Sequence, residues 1–335
     1  MPINKALDIL NHNGVVAFPT ETVYGLGARI DSDEALKKIF STKERPFFDP
    51  LIVHVDSVEN AKKCYSQWNE VAECLAKNFW PGPLTLVMEK SQIISDVITS
   101  GLPSVGVRIP NHPVALELLQ KIKVPVAAPS ANKFGKTSPT SAEHVKKEFG
   151  DAVYVLESSV PCQIGIESTV LLVRNNLEIS ILRRGIIVKS EIEKVLNENK
   201  VSYKWTETID KKESPGHMKH HYMPEIPFVI CRNPNMKVKE VAQVVDQKLS
   251  ALPDQVEGVK ILKPTKPIAK IEFLKLAATP EQAAREIYSQ LRTASERKPD
   301  LLCLALIKDY SKEPHAEMWE SVLDRLFKAA SLVID

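Results

Sequence analysis

The sequence predicts an α+β protein built on a mixed, twisted sheet with helices, followed by a smaller α/β unit. Three observations carry this. Eight short apolar runs precede residue 186, several with no helix-forming stretch between them. Beyond about residue 228, apolar runs alternate with long amphipathic stretches. Ten of the twelve glycines (14, 25, 27, 82, 101, 106, 135, 150, 165 and 185) also fall before residue 186. Strands in direct succession pair antiparallel, whereas strands separated by helices pair parallel. Glycine admits tight turns and close approach of backbone to a ligand, so the recognition loops belong to the front and the scaffold to the rear.

In chain order the front strands are VVAFPT (15–20), LIVHV (51–55), LTLVME (84–89), SVGVRIP (104–110), VPVAAPS (124–130), AVYVLE (152–157), STVLLV (168–173) and LEISILRRG (177–185). Helices are expected near 33–42, 68–79, 112–121 and 141–149, and the pattern KSEIEKVLNE (189–198) closes this part. Residues 199–227 are polar and then broken by Pro215, Gly216, Pro224 and Pro227, which is a linker composition. After it come the strand runs IPFVICR, VKILKP, KIEFLKLA and LLCLALI, with helical stretches near 237–250, 280–296 and 314–330. Thr279, Pro280 and Gln282 supply an N-cap, a first-turn proline and a glutamine at the third helical position. The predicted division is a first domain over 1–198, a linker over 199–227 and a second domain over 228–335.

Composition narrows the function. With 335 residues the chain favours two domains, and 44% hydrophobic with 26% charged residues is that of a water-soluble globular protein. The 44 Lys and Arg against 42 Asp and Glu leave a formal charge of +2, without the excess needed to grip a long phosphate backbone. Cysteines 64, 74, 162, 231 and 303 contain no C-x-x-C pair, so neither a disulfide framework nor a cysteine zinc site is readable and a reducing compartment fits. The N-terminus MPINKALDILNHNG lacks the apolar run of a secretion signal, and the protein reads as cytoplasmic, with no membrane partner. There is no G-x-x-x-x-G-K-[ST], and Gly25-x-Gly27 is followed by Ile30 where a dinucleotide fingerprint needs a third glycine. Neither G-x-S-x-G nor H-E-x-x-H occurs, and His217, His220 and His221 fit a solvated linker better than a metal site.

Candidate chemistry concentrates in Pro- or Gly-bearing turns that carry hydroxyls, cations or amides. These are 19–27, 43–51, 80–85, 107–113, 128–140, 166–170 and 182–185, and their loops are expected to converge on one cleft. Lys43 and Arg45 meet Pro46, with Asp49 and Pro50 just beyond. Two cations on a rigid turn suit a polyphosphate, while a lone K-x-R also fits a solvated helix end. Ser130 and Asn132 follow Pro129, and Ser138 precedes Pro139. They present hydroxyl, carboxamide and backbone N–H groups to a phosphate, or else Asn132 serves only the turn. Arg108 sits among apolar neighbours and requires an anion, either an internal carboxylate or that of a substrate. His54 interrupts LIVHV; Thr20, Thr22 and Ser168 stand at strand ends, where each hydrogen-bonds a small polar ligand or only terminates its strand.

Taken together and in this order, GVVAFPTETVYGLGA, KERPFFDPL, WPGPLTLV, VGVRIPNHP, APSANKFGKTSPT, IESTV and ILRRG resemble the YrdC-like domain. With the Pro-rich linker and the C-terminal α/β part, the chain resembles the two-domain L-threonylcarbamoyladenylate synthases. The resemblance spans roughly 10–185 and the linker motif at 214–224, and rests on architecture alone beyond about 228. It implies a YrdC-like α+β fold followed by a small Rossmann-like α/β domain. It also implies a nucleotidyltransferase that uses L-threonine, bicarbonate or CO2, and ATP with Mg²⁺, and that feeds a threonylcarbamoyl-transferring complex acting on tRNA. By motif, Lys43 and Arg45 would be catalytic and would hold ATP together with Asp49, Ser104, Ser130, Asn132, Ser138, Arg183 and Tyr222. Thr20, His54, Arg108 and Ser168 would bind threonine, and no protein-bound metal is implied. Arg184 stands where the family has a proline in L-R-P-G, and His217 where methionine is frequent. The rival expectation is a double-stranded-RNA-binding or ribosome-maturation module without turnover, which the near-neutral charge disfavours.

Overall fold

The computed structural model describes residues 2–47, 49–207, 220–233 and 236–335. Much of the predicted linker, including Pro215, Gly216 and His217, thus lies outside the described residues. The chain forms two compact units, one of residues 1–133 with 139–217, the other of 134–138 with 218–335.

The first unit is built on ten strands: β1 (Val16–Phe18), β2 (Gly25–Arg29), β3 (Ile52–His54), β4 (Leu84–Glu89), β5 (Ser104–Arg108), β6 (Val126–Ala127), β7 (Tyr154–Val155), β8 (Thr169–Val173), β9 (Glu178–Arg183) and β10 (Lys204–Trp205). Their order is β10-β9-β8-β4-β5-β3-β6-β2-β1-β7. The pairs β1/β2, β2/β6, β3/β6, β4/β5 and β8/β9 are antiparallel, and β1/β7, β3/β5, β4/β8 and β9/β10 are parallel. The sheet is mixed, as adjacent strands without crossovers dictate.

Among the described residues eight helices accompany it: α1 (Pro2–Asn11), α2 (Asp33–Lys43), α3 (Val58–Lys63), α4 (Glu70–Phe79), α5 (Asp96–Thr99), α6 (Pro113–Ile122), α7 (Ala142–Phe149) and α8 (Lys189–Glu198). Ser32, Asn69 and Ser141 cap α2, α4 and α7 by accepting from Ala35, Ala72 and His144 N–H groups, satisfying donors that the first turn leaves open. The two-residue period of the strands sorts their side chains. Val53, Leu84, Leu86, Met88, Val105, Val107, Leu171 and Val173 enter a core with Leu36, Ile39 and Phe40 of α2 and Leu75 of α4. The alternate residues Ile52, Val87, Val170, Leu172 and Leu182 form a smaller apolar cluster on the other face. By the same alternation His54, Thr85, Gly106 and Arg108 belong to that second face.

One element corrects the sequence reading. Gly25, Leu26 and Gly27 lie in β2, pairing antiparallel with β1, rather than in a recognition turn. Gly27 is small because a Cβ there would come within 2.6 Å of the Phe18 ring and 2.7 Å of a Val126 methyl. Its role is close packing between strands.

The second unit holds β11 (Phe228–Cys231), α9 (Val238–Ser250), β12 (Gln255–Val256), β13 (Val259–Lys260), β14 (Ile271–Leu274), α10 (Pro280–Glu296), β15 (Leu301–Ala305), α11 (Ala316–Ala329) and β16 (Leu332–Ile334). Four of the strands form an all-parallel sheet in the order β14-β15-β11-β16. VKILKP does not join it; Val259 and Lys260 close a small hairpin through Glu257 and Gly258, both at positive φ, and β16 takes the edge position instead. Thr279 caps α10 by accepting from the Gln282 N–H, with Pro280 in the first turn, as its sequence requires. No helix among the described residues is long and apolar enough to cross a membrane.

Gly27→Ala should cost about 1–3 kcal/mol of stability through overpacking against Phe18 and Val126. Denaturant unfolding measures it, and a midpoint equal to that of the parent chain would refute the packing role.

Candidate active site

The cationic turn is made by the way α2 ends. Glu44 adopts a left-handed conformation (φ 53°), and its N–H and that of Arg45 return to the carbonyls of Ser41 and Phe40. The chain thereby reverses and carries Lys43 and Arg45 inward, where they are 1% and 7% exposed. The Lys43 amine donates to the Ser130 carbonyl at 2.5 Å and to the Asn132 carbonyl. Burial, with Arg45 alongside, holds it well below the usual lysine range against the opposing pull of Asp49 and Glu148. Arg45 donates to the carbonyls of Asp49 (3.1 Å) and Pro50 (2.9 Å), and pairs with the Asp49 carboxylate at 2.9 Å. Lys43, Ser130 and Asn132 are therefore brought together, and Arg45 with Asp49 beside them.

A second group occupies one row of strand ends. His54 ends β3 and lies opposite Arg108 at the end of β5. Thr85, near the start of β4, donates to or accepts from Ser168 at 2.8 Å, and Ser168 immediately precedes β8. Arg183, at the end of β9, donates to the Ser168 hydroxyl and carbonyl, both at 3.1 Å. Gly185 permits this approach, because a Cβ there would lie 2.4 Å from the Thr169 nitrogen. The LRRG turn is thus closed onto IESTV despite Arg184 in the proline position.

Arg108 finds an internal anion. Its guanidinium donates to Glu21 Oε1 (3.3 Å), Thr22 Oγ1 (3.1 Å) and His54 Nε2 (3.0 Å). Glu21 also accepts from the Asn111 N–H at 3.0 Å, and Thr20 shares a 2.8 Å hydrogen bond with Thr22. Burial, and then the adjacent guanidinium, hold His54 well below its ordinary value, so it serves Arg108 as a neutral acceptor. The sequence reading included Thr20, His54 and Arg108 here and left the carboxylate partner of Arg108 open; it is Glu21. The signal was the requirement of a buried arginine for a carboxylate, and Glu21 is flanked by two threonines at a strand end.

Ser104 lies on the same face of β5 as Gly106 and Arg108, about 13 Å from Arg108 at 3.3 Å per residue. The register Ile52↔Gly106 puts it toward the Pro50 end of β3, away from the His54 row. It borders a cavity of about 410 Å³ that Glu89, Leu172 and Arg174 also line. Ser138 and Tyr222 fall in the second unit, where both are buried. No group of three or more His, Cys, Asp or Glu side chains among the described residues is arranged to hold a metal.

Two family models match this chain. The Sua5–YciO–YrdC model, described as telomere recombination, covers residues 8–185, and the threonylcarbamoyl-AMP synthase C-terminal domain covers 187–331. The mixed sheet with its polar strand ends is thus that of the YrdC-like class. Threonylcarbamoyl-AMP synthase of Bacillus subtilis is 35% identical over 332 residues, 98% of this chain and 92% of the relative. That of Pyrococcus abyssi is 35% identical over 329 residues, 98% and 94% of the two chains. A crystal structure of P. abyssi Sua5 complexed with L-threonine aligns with a TM-score of 0.80 at 33% identity, covering 99% of this chain and 96% of that one. The chain belongs to the two-domain threonylcarbamoyl-AMP synthase family.

The His54 environment makes a pH prediction. Its folded-state value lies below 6.5, so under that pH the unfolded chain takes up a proton that the native state refuses. Stability therefore falls as pH drops below 6.5, and His54→Asn should flatten the slope by about 1.4 kcal/mol per pH unit in that window. His112, also depressed by burial, keeps a residual slope of the same sign. Urea unfolding at a series of pH values reads it; an unchanged slope would mean that His54 is charged in the fold.

Proposed function

We infer that this chain makes L-threonylcarbamoyl-adenylate from L-threonine, bicarbonate or CO2, and ATP, releasing pyrophosphate, the first step of threonylcarbamoylation of adenosine 37 in tRNA. One observation carries the reading: buried cations at the end of α2 and a row of polar strand ends occupy a single unit of a chain whose full-length relatives are named threonylcarbamoyl-AMP synthases. Threonine adds through its amine to CO2, giving a carbamate and a proton. A carbamate oxygen then attacks the α-phosphorus, and pyrophosphate leaves. No covalent enzyme intermediate is needed, so positioning and positive charge carry the catalysis.

Lys43 and Arg45 are assigned to the triphosphate as the catalytic cations, with Asp49, Ser104, Ser130, Asn132, Ser138, Arg183 and Tyr222 completing the nucleotide site. Thr20, His54, Arg108 and Ser168 are assigned to threonine. Mg²⁺ is proposed as the companion of the triphosphate. In the cation turn Asp49, already paired with Arg45, is the carboxylate on offer, which fits an ion that enters on the phosphates rather than one caged by protein. When bound it neutralises phosphate charge.

The further proposals are a linker over 199–227 that closes as a lid during turnover, cytoplasmic location, and hand-over of the product to a threonylcarbamoyl-transferring complex on tRNA. A Rossmann-like second domain is proposed on its four parallel strands, where the sequence-first strand β11 lies between β15 and the last strand β16. No strong direct grip on nucleic acid is proposed, given the charge of +2.

Pyrophosphate release should require threonine, bicarbonate and ATP together; release independent of threonine refutes the function. Burial holds the Lys43 pKa down in the empty site and a polyphosphate beside it raises it, so nucleotide binding draws in protons to the extent that the free amine is deprotonated. Calorimetry of nucleotide binding in buffers of different ionisation enthalpy should show uptake that grows with pH. Lys43→Met should abolish that uptake and lower kcat/KM at least about 100-fold, a transition-state loss of some 2.7 kcal/mol.

A further inference from the structure

Phe134–Ser138 sits within the stretch APSANKFGKTSPT, yet it packs as part of the C-terminal unit. There it lies alongside the end of the linker. The Met223 N–H donates to the Gly135 carbonyl (2.8 Å), the Thr137 N–H to the Met223 carbonyl (3.1 Å), and the Thr137 hydroxyl to the Tyr222 carbonyl (3.0 Å). Lys136 and Met223 form a parallel bridge. Gly135, at φ +73°, lies against Val259, whose methyl would be 3.0 Å from any Cβ.

Two arginines from the unit's long helices fasten this two-stranded crossing. Arg292 of α10 donates to the Thr137 carbonyl. Arg325 of α11, wholly buried and paired with Asp324 at 2.8 Å, sets its guanidinium 5.6 Å from the centre of the Tyr222 ring, which also packs 5.5 Å from Tyr288. The backbone at Tyr222 is itself left-handed (φ 65°), a conformation that a non-glycine residue keeps only when its surroundings hold it.

We propose that the C-terminal unit is a clamp that fixes the Ser138 loop and Tyr222 in one register for ATP, with Arg292 and Arg325 as positioning residues. The inference rests on the assignment of Ser138 and Tyr222 to the nucleotide. A Gly-, Lys- and Ser-bearing loop left to itself must be ordered at each binding event, and a guanidinium on its carbonyl orders it beforehand. The clamp acts on nucleotide affinity and not on threonine.

The test compares Arg292→Met, which keeps length and loses the donor, with Arg292→Lys, which keeps a donor, and with Thr137→Val, which removes only the hydroxyl bond to Tyr222. Calorimetry with a non-hydrolysable ATP analogue, steady-state kinetics and hydrogen exchange at the Thr137 and Met223 amides are read on the full chain. Arg292→Met should raise the analogue Kd and the KM for ATP about tenfold, leave the KM for threonine unchanged and speed exchange at both amides. Lysine should restore most of the affinity, and Thr137→Val should shift it in the same direction by less. Unchanged ATP affinity in Arg292→Met and Thr137→Val, or equal rises in both KM values, overturns the clamp. Failure of the parent chain to bind the analogue at all would instead remove the nucleotide assignment beneath it.

Discussion

Desolvated positive charge is the constraint on which the first unit is organised. A buried lysine is unfavourable unless its donors are met, and Lys43 meets the carbonyls of Ser130 and Asn132 at the end of the Pro129 turn. That one amine ties the C-terminus of α2 to a loop nearly ninety residues later in the chain. Arg45 repeats the device on the carbonyls of Asp49 and Pro50. For Lys43 backbone dipoles carry the compensation, whereas Arg45 adds the buried Asp49 carboxylate at 2.9 Å. Backbone oxygens place the Lys43 amine without neutralising it as a carboxylate would, so an anion that favours its protonated form meets a position already shaped for it.

The sheet supplies the frame for this. Strict alternation along β3, β4, β5 and β8 sends one set of side chains into the helix-covered core and the other to the opposite face. Because β4 runs against β5 and β9 against β8, residues far apart in sequence arrive at the same edge: His54, Arg108, Thr85, Ser168 and Arg183 form a row across five strands. Gly106 leaves the floor of that face low, between Thr85 and Ile52.

How much of this was legible follows from range. The long helices were read from local signals, since caps such as Ser32, Asn69 and Thr279 and the apolar stripe act within a few residues. β2 was not, because Gly27 is dictated by the Phe18 ring and Val126, and a glycine in a strand looks in sequence like one in a turn. β16 and the hairpin at Val259 were exchanged for a similar reason: an apolar run states that it is buried but not which strand it will pair with. The candidate site residues were legible as types, since buried cations and turn hydroxyls stand out wherever they fall. Their partners were not. Arg108 announced its need for an anion, and only the fold named Glu21. Likewise, nothing local in Phe134–Ser138 shows that it packs with Met223 and Arg292 rather than with the strands that flank it in sequence.

The Arg108–Glu21 pair also sets the electrostatics of its corner of the sheet. A lone buried guanidinium would attract any carboxylate, whereas one already matched by Glu21 and hydrogen-bonded to Thr22 and His54 presents a neutral, rigid assembly. With threonine assigned to this corner as proposed above, attraction of the amino acid is weaker in charge and stricter in geometry. In such a pocket the methyl that separates threonine from serine is worth only about 1–3 kcal/mol, while the hydroxyl that separates it from valine weighs more, because a buried hydroxyl partner left unmatched loses its hydrogen bond outright. On the proposed mechanism the carbamate adds a further negative charge, and the Lys43 amine, held by backbone carbonyls, is what the α2 turn offers to offset it. On that assignment, neutral recognition of the small substrate and cationic reception of the phosphates complement each other.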